Sequence, residues 1–319
     1  MLKKMIPPHP HVYDCLRADG PVEFAGDLES GEWARAEWTG DFADIEGDLK
    51  PKPRHRTRAK MMWDDRFFYI GAEMEEPHLW ATLTEHDSVI FQDNDFEVFI
   101  DPDGDNHNYF EYEVNALGTD WDLRLPTPYR DGGPALNEWE TPGRIVKATL
   151  RGTLNDPSDF DQGWTIELAF PWEVFAEQAG TRCPPIPLDV WRVNFSRVEW
   201  DLVIEDGKYR KVEGRPEHNW VWSPMHVIDM HRPELWGYVR FLYQEEPAPY
   251  FDPDHEVRHL LMSIYHQQKD FRKENSRWAA PCELSLPGGA EFSGTDDGWT
   301  VRKGHLKIDH LSRIDLVEG

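Results

Sequence analysis

The strongest constraint on the fold is the stretch 93–125, where alternation of period two runs through three successive segments. Phe96, Val98 and Ile100 alternate with Asp95, Glu97 and Phe99, and Phe110, Tyr112 and Val114 alternate with Glu111, Glu113 and Asn115. Trp121, Leu123 and Leu125 continue the pattern against Asp122 and Arg124. Such short alternating runs are the signature of half-buried strands. Three antiparallel strands are expected, with one apolar face and one face bearing rows of acids, an amide and an arginine. Directly opposed residues stand about 5 Å apart, so the polar rows are expected to form a platform for a hydroxyl-rich ligand.

Elsewhere the same grammar recurs. Residues 59–63 and 67–74 flank the turn Asp64-Asp65-Arg66 and read as a hairpin. Residues 145–150, 164–170, 191–200 and 236–243 read as further strands, residues 32–42 as a first edge strand with its loop, and residues 1–21 as an extended lead-in. In 191–200, Trp191, Val193 and Phe195 take one side and Arg192, Asn194 and Ser196 the other. Pro171-Trp172-Glu173 opens a short helix that Gly180 ends. Roughly ten turn-punctuated strands without crossover helices specify an all-β fold, an antiparallel β-sandwich. After Asp252-Pro253-Asp254 the character changes: Val257, Leu260, Leu261, Ile264, Tyr265 and Phe271 follow helical spacing, with Asp254 placed to cap the helix. The glycines beyond it suggest a small hairpin. The chain thus divides into a sandwich over 1–248 and a helix-and-hairpin extension over 249–319, the latter too short for a robust core of its own.

The formal charge of −26 disfavours nucleic acid and anionic membrane surfaces, which are bound through clustered Lys and Arg. No stretch approaches membrane-spanning length, and the amino terminus lacks an apolar signal region, so the sequence as it stands predicts a cytoplasmic protein, or a secreted or periplasmic one if a leader has been removed. The oligomeric state is not legible. Cys15, Cys183 and Cys282 are odd in number and widely spaced, which supports neither a disulfide framework nor a metal-binding pair. The 15 Trp exceed ordinary core usage, so a minority are expected at the surface to stack flat ligand faces.

Several of these segments together resemble the carbohydrate-binding module family 9-like proteins: Asp95-Phe96-Glu97-Val98-Phe99-Ile100-Asp101, then Glu113-Val114-Asn115, Trp191-Arg192-Val193-Asn194-Phe195-Ser196-Arg197 and Trp236-Gly237-Tyr238. The likeness covers about residues 15–243. It implies a β-sandwich that holds a sugar, often a chain end, between two aromatic rings and bonds its hydroxyls with charged and amide groups. It also implies a structural calcium ion, and a relation to free-standing bacterial proteins of polysaccharide utilisation. On this resemblance Glu97 takes the ligand-contacting acid, Phe91 the first stacking ring, and Trp220 or Trp222 the second. Glu113 stands where the family has a sugar-contacting arginine, a place that Arg124, Arg192 or Arg197 could fill from a neighbouring strand.

The expected ligand set is therefore Phe91, Glu97, Glu113, Asn115, Asp122, Arg124, Arg192, Asn194, Arg197, Trp220 and Trp222, bounded by the loops 75–92 and 201–233. Aromatic faces pack on the CH-rich side of a pyranose while carboxylates, amides and guanidinium groups take its hydroxyls. The principal expectation is non-catalytic carbohydrate binding, with no required cofactor. The alternative is a glycan-active hydrolase or lyase using Glu97, Glu111, Glu113, Asp120 or Asp122, since a glycosidase needs two carboxyls about 5 Å or about 6.5–9.5 Å apart. Asp101, Asp103 and Asp105 alternate around Gly104 as calcium ligands often do, although Asp-Gly is equally a tight turn without metal. His86, His107, His226 and His231 share no metal-like spacing and read as structural.

Overall fold

In the computed structural model, which describes residues 8–246 and 248–317, the chain curls one mixed sheet over on itself into a β-sandwich-like fold. Its strands are β1 (Val12–Arg17), β2 (Ala43–Asp44), β3 (Thr57–Trp63), β4 (Phe67–Glu75), β5 (Asp95–Asp101), β6 (Tyr109–Asn115), β7 (Asp120–Leu125), β8 (Ile145–Arg151) and β9 (Gly163–Pro171). The short helix α1 (Glu173–Ala176) leads to β10 (Val190–Glu199), the small hairpin β11 (Leu202–Glu205) and β12 (Lys208–Lys211), then β13 (His218–Val221) and β14 (Gly237–Leu242). The main path runs β7-β6-β5-β10-β14-β1-β3-β4-β9-β8, with β13 and β2 attached beside β10.

The alternating apolar residues decide which face turns inward. Phe96, Val98 and Ile100 of β5, Phe110, Tyr112 and Val114 of β6, and Trp191, Val193 and Phe195 of β10 meet Met61 and Trp63 of β3, Ile70 and Met74 of β4, and Trp164, Ile166 and Phe170 of β9 in one buried core. Ten of the 15 Trp are buried; Trp38, Trp121, Trp139, Trp200 and Trp278 are not.

The carboxy-terminal extension is larger than a hairpin. Helix α2 (His255–Asn275) packs on a four-stranded antiparallel sheet of β15 (Glu291–Gly294), β16 (Trp299–Lys303), β17 (Leu306–Asp309) and β18 (Ile314–Leu316). Leu261, Ile264 and Tyr265 of the helix bury against Trp299, Val301 and Ile308. Asp254 stands at the N-cap, but its carboxylate accepts a bond from His305 at 2.9 Å and caps no backbone amide. The extension docks on the β5–β6 turn, where Asn106 Nδ2 donates to the Ser312 carbonyl at 2.8 Å and Arg258 donates to the Gly104 carbonyl at 3.0 Å.

Three further expectations are corrected. The lead-in holds β1, which sits between β14 and β3 and runs parallel to both, so the sheet is mixed. Its part before Pro8 lies outside the described residues. Residues 32–42 form no edge strand: Gly31–Arg35 is a single 3-10 turn that buries Trp33 against the sheet. The helix after Pro171 ends at Ala176, short of the expected stop at Gly180. Among the described residues no helix is long and apolar enough to cross a membrane.

Candidate functional site

Strand pairing places Glu97 of β5 directly opposite Glu113 of β6 on one side and Ser196 of β10 on the other. Asp95 is next along β5, and Glu111 is opposite Phe99. Alternation turns all these side chains to the face away from the core, so Asp95, Glu97, Glu111, Glu113 and Ser196 converge. The four carboxylates are between 1% and 6% exposed. One oxygen each from Asp95, Glu97 and Glu113 lies within 4.8 Å of the others. Among the described residues none of the four forms a salt bridge with a basic side chain.

Two backbone amides reach this cluster: Phe91 donates to Glu113 Oε2 at 2.8 Å, and Val198 donates to Asp95 Oδ1 at 3.2 Å. Asp95 Oδ2, Glu111 Oε2 and Ser196 Oγ are buried without a hydrogen bond of ordinary length. Loss of water and mutual repulsion disfavour the ionised forms of these carboxyls. Burial pushes Glu97 up to about 7, and burial followed by the neighbouring Glu97 pushes Asp95, Glu111 and Glu113 well above the ordinary carboxyl range. Tyr129 is 45% exposed; burial, then Glu111 and Glu113, pushes its hydroxyl up to about 12, and its ring stands edge-on to His231 at 4.4 Å. Phe91 is half-buried, and its carbonyl accepts from Trp200 Nε1 at 2.9 Å.

The strand β7 departs from the expected register. Glu113 faces Trp121, and Glu111 faces Leu123, so the half-buried Trp121 ring joins the acidic face. Asp122 and Arg124 therefore point to the opposite face, where Asp122 Oδ2 accepts from the Thr141 amide at 2.7 Å and Arg124 donates to Asn108 at 2.9 Å. A shift of one residue in pairing reverses every side chain on a strand. The two expected rings, Trp220 of β13 and Trp222 just beyond it, are likewise on the core side. Trp222 is 2% exposed and packs against Phe195 at 5.8 Å between ring centres. Trp220 is covered by the guanidinium groups of Arg197 and Arg54 at 5.2 and 5.4 Å and by the stacked His218 ring at 5.8 Å.

Arg197 is also on the core side and fully engaged, donating to Thr57, the Glu75 carbonyl, Glu76 and Glu199. Asn194 and Asn115 do face outward, but their amides are spent on the backbone and, for Asn115, also on Asp93 at 3.0 Å. Asn194 bonds the Ser223 amide and carbonyl, both at 3.0 Å, and Asn115 bonds the Leu83 carbonyl at 2.9 Å and the Leu117 and Thr119 amides at 3.0 and 3.1 Å. Arg192 donates to the Trp236 carbonyl at 2.8 Å and covers the Tyr238 ring at 3.8 Å, at the far end of its row beside α2.

Of the expected ligand set the structure thus gathers Glu97 and Glu113, with Phe91 through its backbone amide, and adds Asp95, Glu111 and Trp121. Strand parity counted from the β6–β7 turn was the signal that points to Trp121. On the β5–β6 turn, Asp101, Asp103 and Asp105 bring one oxygen each within 4.8 Å. Asp101 accepts from the Gly104 and Asn106 amides, both at 3.0 Å, as in a tight Asx turn, and Arg313 stands 3.0 Å from Asp105.

The family model described as carbohydrate family 9 binding domain-like matches residues 25–190, just over half of the chain. A protein from Bacteroides uniformis assigned as carbohydrate-binding shares the fold, with 15% identity and a TM-score of 0.54 over 73% of this chain and 99% of its own. Family 9 carbohydrate-binding modules from Caldicellulosiruptor kristjanssonii are also similar. The complex with cellotriose has 16% identity and a TM-score of 0.45 over 76% of this chain and 100% of its own. The complex with glucose has 15% identity and a TM-score of 0.44 over 75% and 98%. No curated protein matches the chain.

Proposed function

The chain belongs to the carbohydrate family 9 binding domain-like family, and from that premise we propose that it binds a carbohydrate, without cleaving it, on the face formed by Asp95, Glu97, Glu111 and Glu113. The observation that carries this reading is the row itself: four buried carboxyls with no basic partner, two of whose oxygens, Asp95 Oδ2 and Glu111 Oε2, have no hydrogen bond. Buried acceptors left without donors are costly. A sugar brings a hydroxyl donor at nearly every ring carbon, and the half-buried Trp121 ring beside Glu113 suits a pyranose face.

The test is titration calorimetry with a panel of oligosaccharides that includes cellotriose and glucose. Binding by the native chain and at least tenfold weakening in Glu113→Gln are expected. No heat from any sugar, or equal affinity in the variant, would overturn the assignment.

A second reading rests on one geometric fact, that Glu97 and Glu113 are directly opposed. Opposed side chains separate by about 5 Å, the spacing a retaining glycosidase uses, and Glu97 at about 7 is tuned as a general acid is. Chromatography of the same incubations separates the two readings. Unchanged oligosaccharides support binding alone, while products that disappear in Glu97→Gln support catalysis.

Calcium on Asp101, Asp103 and Asp105 stays part of the proposal as a structural ion. It would have to act alongside Arg313, which already offsets the charge of Asp105. Added calcium is expected to raise the melting temperature of the native chain and not of Asp103→Asn.

A further inference from the structure

On the opposite side of β7 from Trp121, a different chemistry collects around His86. Its Nδ1 faces Asp120, 2.9 Å from the carboxylate and 3.1 Å from the carbonyl. A proton on Nδ1 shared with those oxygens leaves the Nε2 lone pair directed outward. Asp120 is itself fixed, accepting from Tyr112 at 2.6 Å and from Arg144 at 3.0 Å.

Three carboxylate oxygens surround Nε2: Glu140 Oε2 at 3.3 Å, Asp87 Oδ1 at 3.4 Å and Asp122 Oδ1 at 3.7 Å. Each is delivered by a separate local device. Asp87 has a left-handed backbone, φ 62°, and its amide donates to the Asp120 carbonyl at 3.1 Å, which folds the loop back onto β7. Asp122 is fully buried, and Thr141 occupies its Oδ2 with both amide and hydroxyl. Its Oδ1 has no hydrogen bond at all and is aimed at the cluster. Glu140 precedes Thr141, so the loop that clamps Asp122 also supplies the third oxygen.

We propose that His86 Nε2, Asp87, Asp122 and Glu140 bind a divalent transition-metal ion, zinc foremost. Donors around a tetrahedral zinc at about 2.0–2.2 Å stand about 3.3–3.6 Å from one another, close to the distances of Glu140 and Asp87 from Nε2, and His86, Asp87 and Asp122 bring one ligand atom each within 4.8 Å of one another. An imidazolium paired with carboxylates would instead close to about 2.7–2.9 Å. The Asp120–His86 bond is the outer-shell arrangement that metal-bound histidines use to fix ring and tautomer. One imidazole with three carboxylates suits zinc or manganese, whereas calcium prefers oxygen alone. Sequence spacing gave no hint, because the ligands come from the loop before β5, from β7, and from the loop before β8.

The experiment is titration of zinc into the chelator-treated full chain at pH 7 with 10 mM calcium present, so that the Asp101 turn does not compete. One zinc per chain at micromolar affinity or better is expected, with affinity at least tenfold lower in His86→Ala and several-fold lower in Glu140→Gln. Cobalt(II) should give a visible absorption band lost in His86→Ala. His86 and Glu140 are substantially exposed, so both variants should melt like the native metal-free chain. Equal zinc affinity in native and His86→Ala chains, or no binding at 1 mM zinc, would overturn the site and leave His86 as an imidazolium among acids.

Discussion

At pH 8 the Glu111→Gln variant is expected to melt several degrees above the native chain, and the advantage is expected to vanish near pH 5. Glu111 is 5% exposed, with its folded-state pKa pushed well above the ordinary range by burial and then by Glu97. A carboxyl whose folded pKa is raised keeps its proton after the unfolded chain has lost its own. Its contribution is fully present below about pH 4.3 and is lost as pH rises through the folded value. For Glu97 the window runs from the unfolded value up to about 7, which at about 1.4 kcal/mol per pH unit is a loss on the order of 3 kcal/mol. Asp95 and Glu113 act in the same direction.

Other groups oppose this slope at lower pH. His231 and His266, lowered to about 4 mainly by burial, add stability as pH rises from 4 to the ordinary imidazole range. Asp252 and Glu234 are depressed and matter only in acid. The decline should therefore be clearest between pH 6.5 and 8. Glutamine keeps the shape, removes one charge and supplies a donor to Glu97. Thermal melts of sugar-free native and variant chains at pH 5, 6.5 and 8, at constant ionic strength, give the answer. Parallel falls in both chains would show that the four carboxyls are not coupled.

The same cluster shows what the sequence could and could not reveal. Alternation in 95–101, 109–115 and 190–199 identified three strands and their inward faces correctly, because burying Phe96, Phe110 and Trp191 leaves only one orientation for the acids. The strand β7 alternates just as clearly, yet its parity depends on the turn before it. Ala116-Leu117-Gly118 is a three-residue connection with Gly118 at φ 78°, the left-handed position typical of such hairpins. Counting from that glycine pairs Glu113 with Trp121. Counting from the acids alone had paired the polar rows instead. The strand β1 was hidden for another reason: its partners β14 and β3 are parallel, and β14 lies more than 200 residues away. In the extension α2 contributes the apolar stripe against which the four short strands bury Trp299, Val301 and Ile308, and the sequence disclosed that stripe better than the strands.

The misassigned tryptophans lead to the sharpest contrast. Replacing Trp222 by alanine is expected to cost about 3–5 kcal/mol, the usual range for a large ring removed from a core. Trp222 is 2% exposed, stands edge-on to Tyr13 at 6.4 Å, and lies so close to Gly237 that a Cβ there would come within 2.6 Å of its ring. Sugar affinity of the chain that remains folded should stay within twofold of native. Trp121→Ala should behave in the opposite way. The Trp121 ring is half-buried on the acidic face and its one hydrogen bond, to Asn137, is 3.3 Å long, so its removal should move the melting temperature by no more than a few degrees. It should weaken sugar binding at least tenfold, because the flat surface opposite Glu113 is gone. Melting curves and calorimetry on both variants, with Trp222→Phe in reserve should the alanine variant not fold, decide between the faces. Tight sugar binding that survives Trp121→Ala and is lost in a folded Trp222→Phe would place the ligand on the β13 side of the sheet and empty the acidic row of its role.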